Sequence, residues 1–412
     1  MRLLHTSDWH LGKKLADRPR KEVFVQFLNW LLKVLKEEKI DLLLIAGDVF
    51  DGTMPSHEAQ ELYYEFLARA VKTGCRNIVV IAGNHDSASF LEAPEHLLKF
   101  LNIYVIGEAE GDPKKEVIEI RKESGEVEAV VCAIPFLKEK NLYVMGRDDE
   151  LSGRDELIVE STKAHFASVV QEGVRVRGDK KVPLIGTGHL FVAGADVSDS
   201  ERQLYIGSLG RLPKTILPAE LDYVGLGHIH KPQTVGGDIS RNYSGSPIAL
   251  DFSEGSQQKL VRIVDFEKGK AEVRNLNVPE FEKLSLITGS QEELETKLRD
   301  LVRKGERCLV RAEHTGTMPA KDLSGRLKNI AEGTPVEVVH IRDLAKKQYY
   351  LSSMVTEEFV HEMTPESVFE KLLEDCYGLK SGAEELDEEK KQEIRELHEC
   401  YQEILQEIRS GS

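Results

Sequence analysis

The chain has 412 residues, enough for two or three domains with sizeable cores, and its 41% hydrophobic and 31% charged residues describe an ordinary globular protein, not a disordered or fibrous one. No apolar run approaches a membrane span and the opening Met-Arg-Leu-Leu-His-Thr-Ser-Asp lacks a leader's apolar core, so no membrane role is expected. The net charge of −16 argues mildly against a polyanionic ligand, but −11 of it falls in residues 351–412, which hold 17 acidic and 6 basic side chains.

Arg2 to Thr6 reads as a short strand running into Ser7, Asp8, Trp9 and His10. From Arg20 to Glu38 the apolar residues Val23, Phe27, Trp30, Leu31, Val34 and Leu35 recur at helical spacing. Ile40 to Ile45 is short and almost wholly apolar, which fits a strand buried on both faces; Ala46 and Gly47 end it, so Asp48 sits just past its carboxyl end. Pro55 and Ser56 start an amphipathic helix through Val71, and a strand from Asn77 to Ala82 ends in Gly83, Asn84, His85 and Asp86. Strands alternating with helices predict a sheet with helical crossovers, in which ligands bind beyond the carboxyl ends of the strands.

Glu116 to Ile120 and Glu126 to Ala133 read as a hairpin on a sheet with one wet face. Two more buried strands follow, Val182 to Gly188 ending at His189, and Leu221 to Gly227 ending at His228, Ile229 and His230. Between them Ala193 to Leu212 is rich in Gly, Ser and Asp and reads as long loops. Strands at Arg241 to Tyr243 and Lys259 to Phe266 complete the sheets. A boundary near Pro279 divides residues 1–279 from an α+β unit at 280–350, with strands at Leu284–Ile287, Cys308–His314 and Val336–His340 and helices at Gln291–Arg303 and Ala320–Ile330. Residues 351–412 form an acidic helical tail: Val368, Leu372, Leu373 and Cys376 make one apolar stripe, and Leu397, Tyr401, Ile404 and Leu405 continue a second. A helical hairpin on its own domain and a docking element for a partner helix both fit that tail. The five cysteines, Cys75, Cys132, Cys308, Cys376 and Cys400, are scattered and lack paired metal spacing, as expected of structural thiols in a reducing cytoplasm.

Asp8, His10, Asp48, Asn84, His85, His189, His228 and His230 all fall at ends of predicted buried strands and would meet in one crevice. Singly each has a plain structural explanation; together they form a mixed N/O donor set without thiolate, suited to Mn, Fe or Zn. Seven of them, all but His85, exceed as ligands the needs of one ion and suit two, with Asp48 as the bridge.

In order, Asp8-x-His10, Gly47-Asp48, Gly83-Asn84-His85-Asp86, His189 and Gly227-His228-x-His230 resemble the signature of the calcineurin-like metallophosphoesterases. His5-Thr-Ser-Asp-Trp-His-Leu-Gly, Ala46-Gly-Asp-Val-Phe-Asp and Gly227-His-Ile-His-Lys-Pro narrow the likeness to the double-strand-break repair nuclease branch. The resemblance implies a two-sheet α/β/β/α sandwich, a small α+β capping domain and C-terminal helices. It implies two Mn²⁺ or other divalent transition metals, the first held by Asp8, His10, Asp48 and His230, the second by Asp48, Asn84, His189 and His228. His85 would act on the transition state or protonate the leaving 3′-oxygen, with Asp86 orienting it. Archaeal members have a histidine where this chain has Asp51, which leaves Asp51 outside the ligand set or structural.

The same likeness implies a nuclease, 3′ to 5′ on duplex ends and endonucleolytic on single-stranded and hairpin DNA. It would work in the cytoplasm at the nucleoid as a homodimer within a heterotetramer, its tail bound to an SbcC-type ATPase. Lys13, Lys14, Arg18 and Arg20 are placed for DNA contact, Leu62, Tyr63, Phe66, Leu97 and Leu98 for the dimer, and Val368, Leu372, Leu397, Tyr401 and Ile404 for the ATPase. Two other readings compete: a phosphatase or cyclic-nucleotide phosphodiesterase on the same centre, and a scaffold subunit with a vestigial metal site. No Gly-x-x-x-x-Gly-Lys-Ser/Thr loop is present, so ATP dependence would come from a partner.

Overall fold

A computed structural model describes residues 1–138, 141, 154–192, 212–267, 270–316 and 322–344, and beyond them residues 369, 373, 397, 398 and 401. Met1–Thr315 with Lys321–Arg342 forms one unit, and Gly316–Ala320 with Asp343–Ser412 a second.

The first half of the larger unit alternates strand and helix: β1 (Arg2–Thr6), α1 (Lys21–Glu37), β2 (Leu42–Ala46), α2 (His57–Ala70), β3 (Asn77–Ile81), α3 (Ala88–Glu92), α4 (Glu95–Lys99) and β4 (Ile103–Ile106). Strands β5 (Val117–Arg121) and β6 (Val127–Ala133), helix α5 (Arg154–Arg177), then β7 (Leu184–His189), β8 (Tyr223–Gly227), β9 (Gln233–Val235) and β10 (Asp238–Tyr243) follow. Strands β11 (Leu260–Glu267) and β12 (Lys270–Asn277) return to the first sheet, whose order is β12-β11-β1-β2-β3-β4; the second sheet runs β5-β6-β7-β8-β10-β9.

In the first sheet β1 to β4 are parallel, β11 runs antiparallel to β1 and β12 antiparallel to β11; in the second, β6, β7, β8 and β10 are parallel. Period-two alternation builds the layers. Leu43, Ile45, Ile78 and Val80 face α1 and α2, while Leu42, Leu44, Val79 and Ile81 pack between the sheets against Ala129, Val131, Ile185 and Tyr223. Helix α5 covers the far face of the second sheet through Ile158, Phe166, Val169 and Val170. Each fully buried leucine in this seam contributes roughly 1.5–3 kcal/mol, so a charge at Leu44 would break it. The result is the expected α/β/β/α sandwich.

The remaining strands β13 (Leu284–Gly289), β14 (Cys308–His314) and β15 (Val336–Asp343) make a three-stranded sheet with α6 (Gln291–Lys304) and α7 (Leu323–Ala331) between them. Helix α6 starts on a capping box, Ser290 and Glu293 bonding reciprocally, and ends on the left-handed Gly305. Two details depart from the sequence reading. The hairpin strand β6 is buried along its whole length, because the first sheet covers one face and α5 the other. Strands β4, β9 and β12 and the long helix α5 were not expected. The Ala193–Leu212 stretch, apart from Leu212, lies outside the described residues.

In the smaller unit the rings of Phe369 and Tyr401 stack with centroids 3.9 Å apart, and His398 meets Phe369 edge-on at 5.2 Å. Leu373 is buried and Leu397 is 39% exposed; Val368, Leu372 and Ile404 lie outside the described residues.

Candidate metal centre

On extended backbone Asp8 and His10, two residues apart, would point to one face. Instead Asp8 and His10 adopt left-handed backbone, φ 54° and 48°, as do Asp48 at 50° and His228 at 99°. Such strain in non-glycine residues persists only where the surroundings hold it. Here the backbone N–H groups of Asp8, His10 and Leu11 donate to the carbonyls of Gly47, Asp48 and Val49 at 2.9–3.0 Å, coupling two strand-end loops. Trp9, between the two candidate ligands, is fully buried and packs edge-on against Phe27 and Phe66. One large side chain thus anchors the segment under α1 and α2.

The expected donors converge. Oδ2 of Asp48 lies 3.2 Å from Nε2 of His189 and 3.5 Å from Nε2 of His10. Oδ1 of Asn84 is 3.0 Å from both His189 Nε2 and His228 Nδ1. Ligand atoms of Asp8, His10 and His230 fall within 4.8 Å of one another, and so do those of Asp8, Asp48 and His189. Glycine permits this approach: a Cβ on Gly83 would stand 2.1 Å from Asp48 Oδ1.

The neighbours orient the donors. The Ala46 carbonyl accepts from His189 Nδ1 at 2.9 Å, Ser7 Oγ donates to Asp8 Oδ2 at 2.5 Å, and the backbone N–H groups of His228 and His85 donate to Asp8 Oδ1 and Asp48 Oδ1 at 2.9 Å. Electrostatics separate the ionisable groups. Burial opposes charge on both His189 and Asp48, but their mutual attraction outweighs it, lifting the imidazole to about 9 and holding the carboxyl well below its usual range. Burial first, then the neighbouring His189, push His228 down to about 3.

The residues fit a divalent cation on a separate observation. Both ring nitrogens of His10 are buried without a hydrogen bond; Nδ1 has only the off-axis Asp51 Oδ1 at 3.2 Å. A buried imidazole nitrogen rarely goes unsatisfied, and a cation held by one of these two and the neighbouring carboxylates would satisfy it, the other nitrogen keeping its proton.

Asp86 does not sit against the His85 ring as expected. Its carboxylate accepts from the backbone N–H groups of Val49 at 3.1 Å, Phe50 at 3.0 Å and Gly83 at 2.8 Å, clamping the loops that carry Asp48 and Asn84. Burial, then the nearby Asp48, raise its carboxyl to about 6 against those three bonds. The His85 ring meets the Asp51 carbonyl through Nδ1 at 3.3 Å, and its Nε2 is buried without a hydrogen bond. Burial chiefly lowers the His85 pKa. Asp51, set aside in the sequence reading, joins His10 and His85 in a third close group and pairs with Lys13 at 2.8 Å. Glu254, marked by no sequence signal, lies 3.1 Å from His230 Nδ1.

Two groups of expected contacts need correction. Arg20 is 5% exposed, paired with Glu282 at 2.8 Å and donating to the Ala249 carbonyl, so it cannot lie on a DNA backbone. Arg18 pairs with Glu337 of β15, and Lys14 is exposed. Of the residues assigned to a dimer, Leu62, Tyr63 and Phe66 of α2 and Leu98 of α4 are turned into the core against the first sheet; Leu97 is 68% exposed, beside Phe100 at 88%.

Residues 1–232 match the family described as calcineurin-like phosphoesterase, and residues 280–377 that described as type 5 capsule protein repressor C-terminal domain. The SbcD subunit of the nuclease SbcCD from Escherichia coli strain K12 is 33% identical over 401 residues, 96% of each chain. The same-named protein of Bacillus subtilis strain 168 is 39% identical over 276 residues, 66% of this chain and 67% of its own. That of Rhodobacter capsulatus is 37% identical over 278 residues, 66% and 68%. No helix among the described residues is long and apolar enough to cross a membrane.

Proposed function

The chain belongs to the calcineurin-like phosphoesterases, in their SbcD branch, and we propose that its strand-end cluster is a two-cation centre that cuts DNA. It is a metal-dependent phosphodiester hydrolase, the nuclease subunit acting with an SbcC-type ATPase. In this reading both cations are Mn²⁺. Asp8, His10, Asp48 and His230 hold the first, and Asp48, Asn84, His189 and His228 the second. The observation that carries the sharing is the Asp48 carboxylate, approached by His10 and by His189 through the same oxygen.

When bound, such cations supply Lewis acidity toward the phosphate and a nucleophile near neutral pH. The chain's own residues do the rest. Asp8 and Asp48 bring negative charge that the cations offset before a polyanion can approach. His85, its Nδ1 toward the Asp51 carbonyl, would as an imidazolium hold a proton at Nε2 for the leaving 3′-oxygen, a form that burial disfavours until negative charge gathers beside it. Asp86 acts at one remove, holding the Asp48 and Asn84 loops in register.

The finer reading is an exonuclease running 3′ to 5′ on duplex ends and an endonuclease on single-stranded and hairpin DNA, at the nucleoid, with Lys13 and Lys14 along the backbone. Two copies pair through exposed Leu97 and Phe100, and residues 351–412 engage the ATPase to complete a heterotetramer. The division into 1–279, 280–350 and 351–412 belongs to the same proposal.

The test is cleavage by the purified chain with Mn²⁺ and its partner ATPase on end-labelled duplex, hairpin DNA and p-nitrophenyl phosphate, beside His85→Ala. DNA cleavage lost in the variant is expected. Hydrolysis of the small ester alone would replace the nuclease by a phosphatase, and no hydrolysis at all would favour a scaffold.

A further inference from the structure

His230 comes to the Asp8–His10 cluster from the loop after β8, and behind its ring stands Glu254, with Oε1 3.1 Å from Nδ1. An ionised carboxylate only accepts hydrogen bonds, so Nδ1 carries the proton and Nε2 the lone pair that a cation needs. We propose that Glu254 is the positioning residue of His230, fixing the ring's tautomer and direction and so setting the affinity of the first cation site. This rests on the two-cation reading above.

Glu254 is fully buried and held from several sides. Its Oε2 accepts from Lys259 Nζ at 2.7 Å, the Leu250 N–H at 3.1 Å and Ser246 Oγ at 3.2 Å. Lys259 also donates to the carbonyl of His230 at 3.2 Å, so one ammonium grips both the carboxylate and the backbone of the residue it orients. Burial of such a pair is poorly explained by stability, because well-packed apolar residues of similar volume commonly do as well. A positional role explains it.

The turn that carries Glu254 is pinned from outside. Arg311 of β14 pairs with Asp251 at 2.9 Å and lies over the Phe252 ring, 5.5 Å from its centroid. Gly255 sits so close to β13 that a Cβ would stand 2.3 Å from the Leu284 carbonyl oxygen. The three-stranded sheet therefore holds the turn that holds His230. Behind the same turn lies a cavity of about 480 Å³, lined in part by Arg20, Glu254, Lys259 and Phe281.

Two double variants of the full chain test the inference. Glu254→Leu with Lys259→Met removes both charges and the acceptor while keeping the volume. Glu254→Gln with Lys259→Met removes the charges but keeps a carbonyl oxygen for Nδ1–H. Mn²⁺ titrations followed by electron paramagnetic resonance, with thermal unfolding in chelator as the check on folding, are read for both. We expect the Leu/Met variant to bind at one of the two sites about 10–100-fold more weakly, the other site unchanged, and the Gln/Met variant to recover most of that loss. Wild-type affinity in the Leu/Met variant, or equal weakening in both, would overturn the positioning role while leaving the metal centre standing. Failure of the unaltered chain to bind Mn²⁺ would remove the centre and this inference together.

Discussion

Adding one methyl group at Gly227 is the most direct probe of how the two sheets build the site. A Cβ there would stand 1.9 Å from the Ala46 carbonyl oxygen and 2.8 Å from His189 Nδ1. Gly227 is not among the residues with positive φ, so the penalty is steric. The methyl would enter the hydrogen bond from His189 Nδ1 to that carbonyl, 2.9 Å long. Ordinary contact requires the carbonyl to retreat by roughly 1–1.5 Å. Overpacking of this kind costs about 1–3 kcal/mol, and loss of the bond adds about 1 kcal/mol. Gly227→Ala is therefore expected to lower the unfolding free energy by about 2–4 kcal/mol in urea titrations. Displacing His189 by about 1 Å should slow cleavage on the order of 10²-fold. Gly52→Ala is the control, since a Cβ there meets nothing within 4 Å. A Gly227→Ala protein with wild-type stability, Mn²⁺ affinity and rate would refute the close approach of the β2 and β8 ends.

Asp86→Ala strips three buried N–H groups of their acceptor and should destabilise by about 2–4 kcal/mol in the same assay, whereas His85→Ala should leave stability intact and slow turnover about 10²–10⁴-fold; equal stability of the two would contradict the clamp. Asp48→Asn should weaken both cation sites in a Mn²⁺ titration, and Asp8→Asn mainly one. Two undisturbed sites in Asp48→Asn would rule out a shared carboxylate. Truncation of residues 351–412 should abolish capture of the partner ATPase in a pull-down while metal binding persists, and retained capture would move the docking element elsewhere.

The strand ends could be read from the sequence because parallel strands covered on both faces are uninterrupted apolar runs, and Ile40–Ile45 and Asn77–Ala82 stop where polar residues begin. Strand β12 alternates on an exposed edge and carries Lys270, Glu272 and Arg274, which removes that signal. Helix α5 hid for another reason: its close approach to β6 requires Gly173, where a Cβ would stand 2.5 Å from Cys132 Sγ, and a glycine inside a helix reads as a break. Long-range pairing left no trace at all. Arg20 closes a stretch that holds Lys13, Lys14 and Arg18 and looks like a surface cation, yet its partner Glu282 lies 262 residues on, and Glu254 has no motif to announce it.

Asp8, Asp48 and Asn84 follow strands of one sheet, and His189, His228 and His230 follow strands of the other. Neither half of the sandwich carries the full donor set alone. Inheritance is constrained accordingly: segments exchanged between relatives pass on activity only if they bring matching halves of the seam. A chimera with residues 117–243 from one relative and the remainder from another can retain both cores and still misplace every donor, so loss of cleavage in well-folded chimeras would measure how tightly the two sheets have been obliged to change together.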